Sequence, residues 1–116
     1  MQRLEHSTRP WGEYQVLYDG EDCKVKKITV NPGQRLSLQF HFKRREQWTV
    51  STGVLTVIMD DHTFTIHEGR SIFIPLGAIH RAWNRTDKPV SFIEVQTGSY
   101  FGEDDIVRVE DDYDRE

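Results

Sequence analysis

Short runs of β-forming residues alternate with turn residues along almost the whole chain, and this feature restricts the fold more than any other. From Glu13 onward, runs rich in Val, Ile, Thr, Phe and Tyr end at Gly, Asp, Asn or Pro, and helical spacing is almost absent. Such a pattern is typical of an all-β chain folded as a sandwich or barrel. It predicts strands at 13–18, 23–30, 35–42, 47–52, 54–59, 63–67, 71–74, 79–84 and 89–96.

Length and cysteine content narrow the class of protein. The 116 residues fit one domain, so we expect a single domain over 1–116 with a barrel at about 13–98. Cys23 is the only cysteine, which excludes an intramolecular disulfide and a zinc site built mainly from thiolates. Because the first fifteen residues are polar and no run approaches a membrane span, we expect a cytoplasmic protein that does not bind a membrane.

Charge is distributed unevenly. Between Glu103 and Glu116, eight acidic residues stand against two arginines, a net charge of −6, so the remaining residues contribute +2 to the total of −4. Basic residues in that body are scattered except at 43–45, so we expect no nucleic-acid binding, but a small anionic ligand is compatible. For the acidic tail at 103–116 we favour a solvated segment over one that contacts a ligand.

The segment 35–43 has one polar and one apolar face. The polar face carries Arg35, Ser37, Gln39, His41 and Lys43, and the apolar face carries Leu36, Leu38, Phe40 and Phe42. Either the apolar face forms the core, or the polar face lines a cavity while another sheet or a second subunit covers the apolar one. If the polar face is interior, the apolar face needs a cover, and we then expect a homodimer through this sheet.

Glu46 shares a strand face with Trp48 and Val50, so its carboxylate is expected to point inward. An unpaired buried charge is very costly, so this carboxylate needs a partner. A metal ion or a lysine or arginine would serve, and the pattern alone leaves both open.

Two motifs carry a resemblance to a known superfamily. One is spaced as Gly33, His41, Glu46 and Gly53, and the other reads Gly69-Arg-Ser-Ile-Phe-Ile-Pro75-Leu-Gly77-Ala-Ile-His80-Arg-Ala-Trp-Asn84. The second matches the second cupin motif residue for residue, and the first resembles the first cupin motif more loosely. The resemblance implies an all-β, cupin-type double-stranded β-helix, or jelly-roll barrel.

Longer strings resemble one cupin family, the type II phosphomannose isomerase domain. They are Arg9-Pro-Trp-Gly12, Val25-Lys-Lys-Ile-Thr-Val-Asn-Pro-Gly33, Leu36-Ser-Leu-Gln39, Ile74-Pro-Leu-Gly-Ala-Ile-His-Arg81 and the run 93–108. This resemblance implies interconversion of mannose 6-phosphate and fructose 6-phosphate at a divalent metal. Because the chain has no Gly-rich nucleotide-binding signature, we expect no guanylyltransferase activity from it.

The resemblance implies metal ligands at His41, Glu46 and His80. Lys43 and Gln47 stand where the family usually has histidines, so Gln39, on the same strand face as His41, is a candidate fourth ligand. Imidazole, carboxylate and amide donors suit zinc, manganese, iron or nickel. In the competing interpretation Lys43 pairs with Glu46 and the site is metal-free.

Other roles follow from the same hypothesis, in which the ligand is a small phosphorylated sugar. Candidates for the catalytic base are Glu46, Glu94 on a late strand and Lys43, although a salt bridge is the simpler role for Lys43. Arg81 and Arg44 are candidates for binding the phosphate. We assign His6, His62 and His67 as exposed or hydrogen-bonded residues, and Trp11, Trp48 and Trp83 as packing residues.

Two other functions remain open at this point. One is a non-catalytic sugar- or small-molecule-binding cupin that has lost part of its metal site, which the residues at 43 and 47 favour. The other is a different metal-dependent enzyme acting on a small polar substrate.

Overall fold

The computed structural model of the chain describes residues 5–113. Within that range the regular structure consists of strands, which confirms the all-β prediction. They are β1 His6–Arg9, β2 Gly12–Asp19, β3 Cys23–Val30, β4 Leu38–Phe40, β5 Arg44–Thr52, β6 Leu55–Met59, β7 His62–Ile66, β8 Ser71–Ile74, β9 His80–Trp83, β10 Val90–Gly98 and β11 Val107–Glu110. No stretch of 5–113 forms a helix that is long and apolar enough to cross a membrane.

The strands form two antiparallel sheets that enclose one core. The larger sheet has the order β1-β2-β3-β10-β5-β8, and the smaller has the order β11-β4-β9-β6-β7. Val30, Val50 and Phe92 from the larger sheet pack with Leu55 and Val57 from the smaller, and all five are at most 1% exposed. Two facing sheets with inward alternation are the expected solution for short amphipathic strands.

The interior changes from apolar to charged along three neighbouring strands. On β10 the buried residues run Val90, Phe92, Glu94 and Gln96, and their partners on β3 run Val30, Ile28, Lys26 and Lys24. On β5 the buried residues Val50, Trp48 and Glu46 lie opposite Phe92, Glu94 and Gln96, and Arg44 follows at the same end. Inward positions recur at every second residue of a strand. Along each of these three strands the inward residues are apolar at one end of the barrel and mostly ionisable at the other. The charged end is where the candidate site lies.

The observed strands differ from the predicted ones mainly at their ends. The predicted strand at 35–42 is regular only at Leu38–Phe40, and the chain bends at 41–43 before β5 begins at Arg44, earlier than the predicted residue 47. Strands β1 and β11 were not predicted, since HSTR and VRVE are only four residues long and contain polar or charged residues at half or more of their positions. The turn at Asp60 and Asp61 has both residues at positive φ, as a two-residue hairpin loop requires.

The acidic segment after Gly102 packs against the barrel, contrary to our preference for a solvated tail. Strand β11 pairs with β4, Asp105 is 8% exposed, and Asp112 Oδ2 lies 2.5 Å from Nε of Arg35. The physical reason is that the slightly basic body presents arginine and lysine side chains that these carboxylates neutralise. Residues 114–116 of the predicted tail lie outside the described range.

Candidate metal centre and adjoining cavity

Three side chains from separate parts of the chain converge at the charged end of the barrel. His41 follows β4, Glu46 lies on β5 and His80 begins β9, and each is at most 3% exposed. Their ligand atoms lie within 4.8 Å of one another. Nε2 of His41 is 3.3 Å from Oε2 of Glu46, and Nε2 of His80 is 3.9 Å from Oε1. The trio is a candidate metal-binding cluster.

Backbone carbonyls fix the orientation of both histidine rings. Nδ1 of His41 lies 2.6 Å from the carbonyl oxygen of Asp105, and Nδ1 of His80 lies 2.9 Å from that of Ala78. A carbonyl only accepts, so each Nδ1 donates and carries the proton, and each Nε2 presents its lone pair towards Glu46. This arrangement is the usual one for metal-ligating histidines.

Arg44, and not Lys43, is the cation that pairs with Glu46. Nε of Arg44 donates to Oε2 of Glu46 at 2.9 Å, and its Nη2 lies 3.4 Å from Nε2 of His41. Lys43 is exposed, with its Nζ 5.2 Å from the centre of the Tyr100 ring. Glu46 therefore forms a salt bridge, as the competing interpretation required, but its partner is the guanidinium of Arg44 and not the ammonium of Lys43.

Glu46 is held as a carboxylate. Burial by itself raises the pKa of Glu46, but electrostatic interactions with His80, Arg44 and His41 and a hydrogen bond from Glu94 outweigh that effect and lower the pKa. Nε1 of Trp48 also donates to Oε1 of Glu46 at 2.8 Å. Burial lowers the pKa of His41, so its neutral form is favoured. A charged carboxylate beside a neutral imidazole is the protonation state that metal binding requires.

Glu94 has the opposite protonation behaviour. Its burial and the nearby charge of Glu46 raise the pKa of Glu94 well above its usual range, despite the opposing charges of Lys26 and Arg44. Nε2 of Gln96 donates to its Oε2 at 2.6 Å. Of the two buried carboxyl groups, Glu46 is thus ionised and Glu94 is largely protonated. Neighbouring carboxyl groups with such different pKa values are often found at sites of acid–base catalysis.

A comparison with protein families identifies the domain. The family model described as "Mannose-6-phosphate isomerase C-terminal" matches residues 1–111. The chain belongs to this family. The resemblance to type II phosphomannose isomerases inferred from the sequence motifs is therefore confirmed.

Curated relatives of this mannose-6-phosphate isomerase C-terminal domain are much longer proteins. The chain is 50% identical over 107 residues to the alginate biosynthesis protein AlgA of Pseudomonas aeruginosa, covering 92% of this chain and 22% of AlgA. It is 50% identical to the xanthan biosynthesis protein XanB of Xanthomonas campestris, with coverages of 92% and 23%. It is 47% identical to the mannose-1-phosphate guanylyltransferase ManC of Salmonella typhimurium, with coverages of 92% and 22%. The chain thus spans less than a quarter of the length of these relatives.

Solved structures confirm the cupin-type double-stranded β-helix. An oxalate decarboxylase mutant from Bacillus subtilis has a TM-score of 0.82 at 17% identity, covering 91% of this chain and 30% of that one. The capsular polysaccharide assembling protein CapF of Staphylococcus aureus has a TM-score of 0.79 at 19% identity, with coverages of 95% and 35%. A double-stranded β-helix protein from Klebsiella pneumoniae has a TM-score of 0.73 at 22% identity, covering 83% and 82%. At these identities the likeness concerns the fold alone.

The two positions at which this chain departs from the family pattern point away from the trio. Lys43 and Gln47 are both exposed, whereas Arg44, Glu46 and Trp48, which alternate with them, are buried. Lys43 lies in the bend before β5 and Gln47 lies on β5, and both side chains are directed to solvent. Neither residue belongs to the trio. Lys43 is also not placed where it could act as a catalytic base in the cavity.

Gln39 lies beside the trio. It is the Cα partner of His80 in the β4–β9 pairing and it lines the cavity. Its Nε2 donates to Oγ of Ser37 at 2.9 Å, which leaves the amide oxygen for a ligand. Gln39 as a fourth ligand stays a prediction.

Arg81, a predicted phosphate-binding residue, already has partners. Its Nε donates to the carbonyl of Leu36 at 2.9 Å, its Nη1 to Glu110 at 2.9 Å and its Nη2 to Asp112 at 3.5 Å. The side chain is 3% exposed and lines the cavity. In this arrangement Arg81 ties the C-terminal segment to the barrel, and phosphate binding by it remains a prediction.

A cavity of about 140 Å³ adjoins the trio and reveals residues that the sequence interpretation missed. They include Lys26, Tyr14 and Glu103, and Trp11, assigned to packing, also lines it. Lys26 could have been recognised as inward-facing, because it is in phase with Ile28 and Val30 on one strand. Glu103 lies in the connection between β10 and β11, and no local pattern predicts its position. Among residues 5–113, the buried Trp11 Nε1 has no hydrogen-bond partner.

The remaining histidines and tryptophans are placed largely as assigned. His62 and His67 are exposed, and His6 is an exposed residue whose Nε2 lies 2.6 Å from Glu13. Trp48 is buried against Phe92, with ring centres 4.8 Å apart. Trp83 is half-buried between the guanidinium groups of two arginines, Arg35 and Arg85.

Proposed function

We propose that this domain is a metal-dependent isomerase that interconverts mannose 6-phosphate and fructose 6-phosphate. One observation carries the proposal: His41, Glu46 and His80 converge with both Nε2 lone pairs directed to a shared carboxylate, beside a cavity rich in cations. Two imidazoles and a carboxylate fit zinc, manganese, iron or nickel. Membership of the mannose-6-phosphate isomerase C-terminal family supports a sugar-phosphate substrate.

The reaction requires two proton movements in the open-chain sugar. A proton leaves C2 of the aldose and one arrives at C1, while the hydroxyl proton moves from O2 to O1. A divalent ion held by His41, Glu46 and His80 would supply Lewis-acid stabilisation of the charge that develops on these oxygens. The side chains of the protein must therefore transfer the proton between C2 and C1 and bind the phosphate group.

Glu94 is the residue we assign to the proton transfer between C2 and C1. It is buried, lines the cavity and has a raised pKa, and a general base works best when its pKa is near the working pH. Its ionised form takes the proton from C2 and returns it to C1, so the residue is regenerated in each turnover. Gln96 holds the carboxyl group through the 2.6 Å hydrogen bond.

Turnover by metal-loaded protein tests the proposal. A coupled assay should detect fructose 6-phosphate formed from mannose 6-phosphate with at least one of the four metals, and no turnover with any of them would reject the isomerase. Glu94→Gln should lower kcat by about 10²-fold or more while metal content is unchanged. Glu21→Gln changes an exposed glutamate that does not line the cavity, so it is the matched control and should leave kcat unchanged.

A non-catalytic sugar-binding domain is the second candidate. The observation that favours it is the Arg44–Glu46 ion pair, because a guanidinium at 2.9 Å already balances the carboxylate within the trio. In that case the protein would bind mannose 6-phosphate without a metal and without turnover. Measuring sugar-phosphate binding before and after chelation distinguishes the two functions.

A further inference from the structure

Three buried cations, of which Lys26 and Arg44 line the cavity, converge on one carboxylate oxygen. Nζ of Lys26 lies 2.9 Å from Oε2 of Glu103, Nζ of Lys24 lies 3.7 Å from it, and Nη1 of Arg44 lies 3.8 Å from it. The three cationic side chains are between 5% and 9% exposed, whereas that of Glu103 is 50% exposed. The half-exposed carboxylate of Glu103 thus lies over three buried cations, Lys24, Lys26 and Arg44, which we call the cationic floor.

The cationic floor has binding capacity that Glu103 does not use. Among residues 5–113, Nη1 of Arg44 is buried and has no hydrogen-bond partner. A buried guanidinium donor without a partner is costly, so this N–H group is available to an oxygen acceptor of a bound anion. Lys24 and Arg44 are also too far from the oxygen for direct hydrogen bonds, so a larger anion with more acceptor oxygens would fit these donors better.

The charge balance also favours a more highly charged anion. Lys24, Lys26 and Arg44 contribute three positive charges, and the carboxylates that form ion pairs with them are Glu46 and Glu103. This group of ion pairs therefore holds one more positive charge than negative charges. A phosphate monoester carries between one and a half and two negative charges near neutral pH, roughly one more than the carboxylate it would replace.

We propose that Lys24, Lys26 and Arg44 form the phosphate subsite and that Glu103 is a resident anion which the phosphate group displaces. The inference rests on the proposed function, since it names where the phosphate of the sugar binds. Glu103 belongs to the segment that also carries Ile106 and Arg108, both of which line the cavity. Displacing Glu103 therefore loosens this segment at the same moment as the substrate enters.

The test measures inorganic phosphate binding to metal-stripped protein by calorimetry, at constant ionic strength set with chloride. Glu103→Gln removes the resident charge and should bind phosphate at least about fivefold more tightly than the wild type. Adding Lys26→Met to Glu103→Gln should abolish that gain, because it deletes the cation closest to Oε2. Asp104→Asn is the matched control, since this neighbouring carboxylate contacts Tyr100 and should leave phosphate affinity unchanged.

A stability measurement keeps the test decisive if the variants fold poorly. Removing Glu103 leaves three buried cations with less compensation, so phosphate should raise the melting temperature of Glu103→Gln more than that of the wild type. Equal phosphate affinity in the wild type and Glu103→Gln, or tight binding that survives Lys26→Met, would overturn the subsite.

The outcome is separable from that of the isomerase assay. Phosphate binding to metal-stripped protein needs no turnover, so the predicted pattern in an inactive protein would retain the subsite and reject only the isomerase. Turnover of mannose 6-phosphate by the wild type combined with no effect of Glu103→Gln would reject the subsite alone. Mannose without the phosphate should bind equally to the wild type and to Glu103→Gln, which separates an effect on sugar binding from an effect on anion binding.

Discussion

The carbonyl oxygen of Asp105 lies 2.6 Å from Nδ1 of His41, although 64 residues separate the two in sequence. The carboxylate of the same aspartate accepts hydrogen bonds from the backbone N–H groups of Phe42 and Lys43, at 3.0 and 2.9 Å. One residue of the C-terminal segment therefore fixes both the ring of a candidate ligand and the bend that carries it. The segment is part of the site.

The first prediction concerns Asp105. Asp105→Ala removes the acceptor for two backbone N–H groups and frees the carbonyl that orients His41, so metal affinity should fall by about 10–100-fold. Competition with a fluorescent chelator measures that affinity. Asp104→Asn changes the adjacent carboxylate and should have no effect. Unchanged metal affinity in Asp105→Ala would show that the C-terminal segment does not orient the ligand.

The second prediction concerns the two positions that depart from the family pattern. Lys43 and Gln47 face outward, so Lys43→Ala and Gln47→Ala should each retain the wild-type metal content and kcat. His41→Ala should lose the metal, because it removes an inward donor. Elemental analysis of the three variants provides the comparison. Loss of metal in Lys43→Ala would mean that the bend turns Lys43 inward in solution.

The third prediction concerns association of two copies, which the sequence led us to expect. Phe42 is 66% exposed and Val109 is 53% exposed, and Phe40 and Val107 pair on the same face of the small sheet. Light scattering coupled to size-exclusion chromatography should show that the wild type is a dimer. The double variant Phe42→Ser/Val109→Ser should be a monomer. Phe73→Ser, on the other sheet, should remain dimeric. A monomeric wild type would contradict this prediction.

The fourth prediction is a pH dependence of stability. The hydrogen bond from Arg35 is the main cause that lowers the pKa of Asp112. A carboxyl whose pKa is lower in the folded state stabilises the fold above its unfolded pKa, and this contribution is lost as the pH falls below about 4. The pair is partly exposed, so the loss should be about 0.5 kcal/mol.

Chemical denaturation at pH 7 and pH 3 measures that dependence. Asp112→Asn should be less stable than the wild type at pH 7, and this difference should be smaller at pH 3, whereas Asp87→Asn, at an exposed aspartate before β10, should track the wild type at both. A constant difference between Asp112→Asn and the wild type across the range would show that the ion pair is not responsible.

Much of the fold follows from local sequence patterns. The alternation of Val, Ile and Thr with polar residues gave strands β2, β3 and β6 to β10 to within a few residues, because a half-buried strand needs period two. The bend at 41–43 did not follow, since it depends on Asp105 binding the backbone N–H groups there. Strand β11 alternates exposed valines with charged residues, and its position is set by pairing with β4 and by carboxylate contacts to Arg35 and Arg81.

The site was predictable where motif spacing determines which face a residue occupies. His41, Glu46 and His80 were identified from their motif positions, and the structure brings them within 4.8 Å of one another. Arg44 was expected at a phosphate; in the structure its Nε pairs with Glu46 and its Nη1 lies 3.8 Å from Glu103, so phosphate binding by Arg44 stays a prediction. Contacts across the chain, such as Lys26 with Glu103, cannot be read from a single sequence without the fold.

Metal content of the native protein tests the central claim most directly. Protein purified without a chelating tag should carry about one equivalent of a divalent transition metal per chain, and His80→Ala should carry almost none. Elemental analysis gives both values in one experiment. A wild-type content below about a tenth of an equivalent, with no uptake on adding zinc, manganese, iron or nickel, would contradict the account.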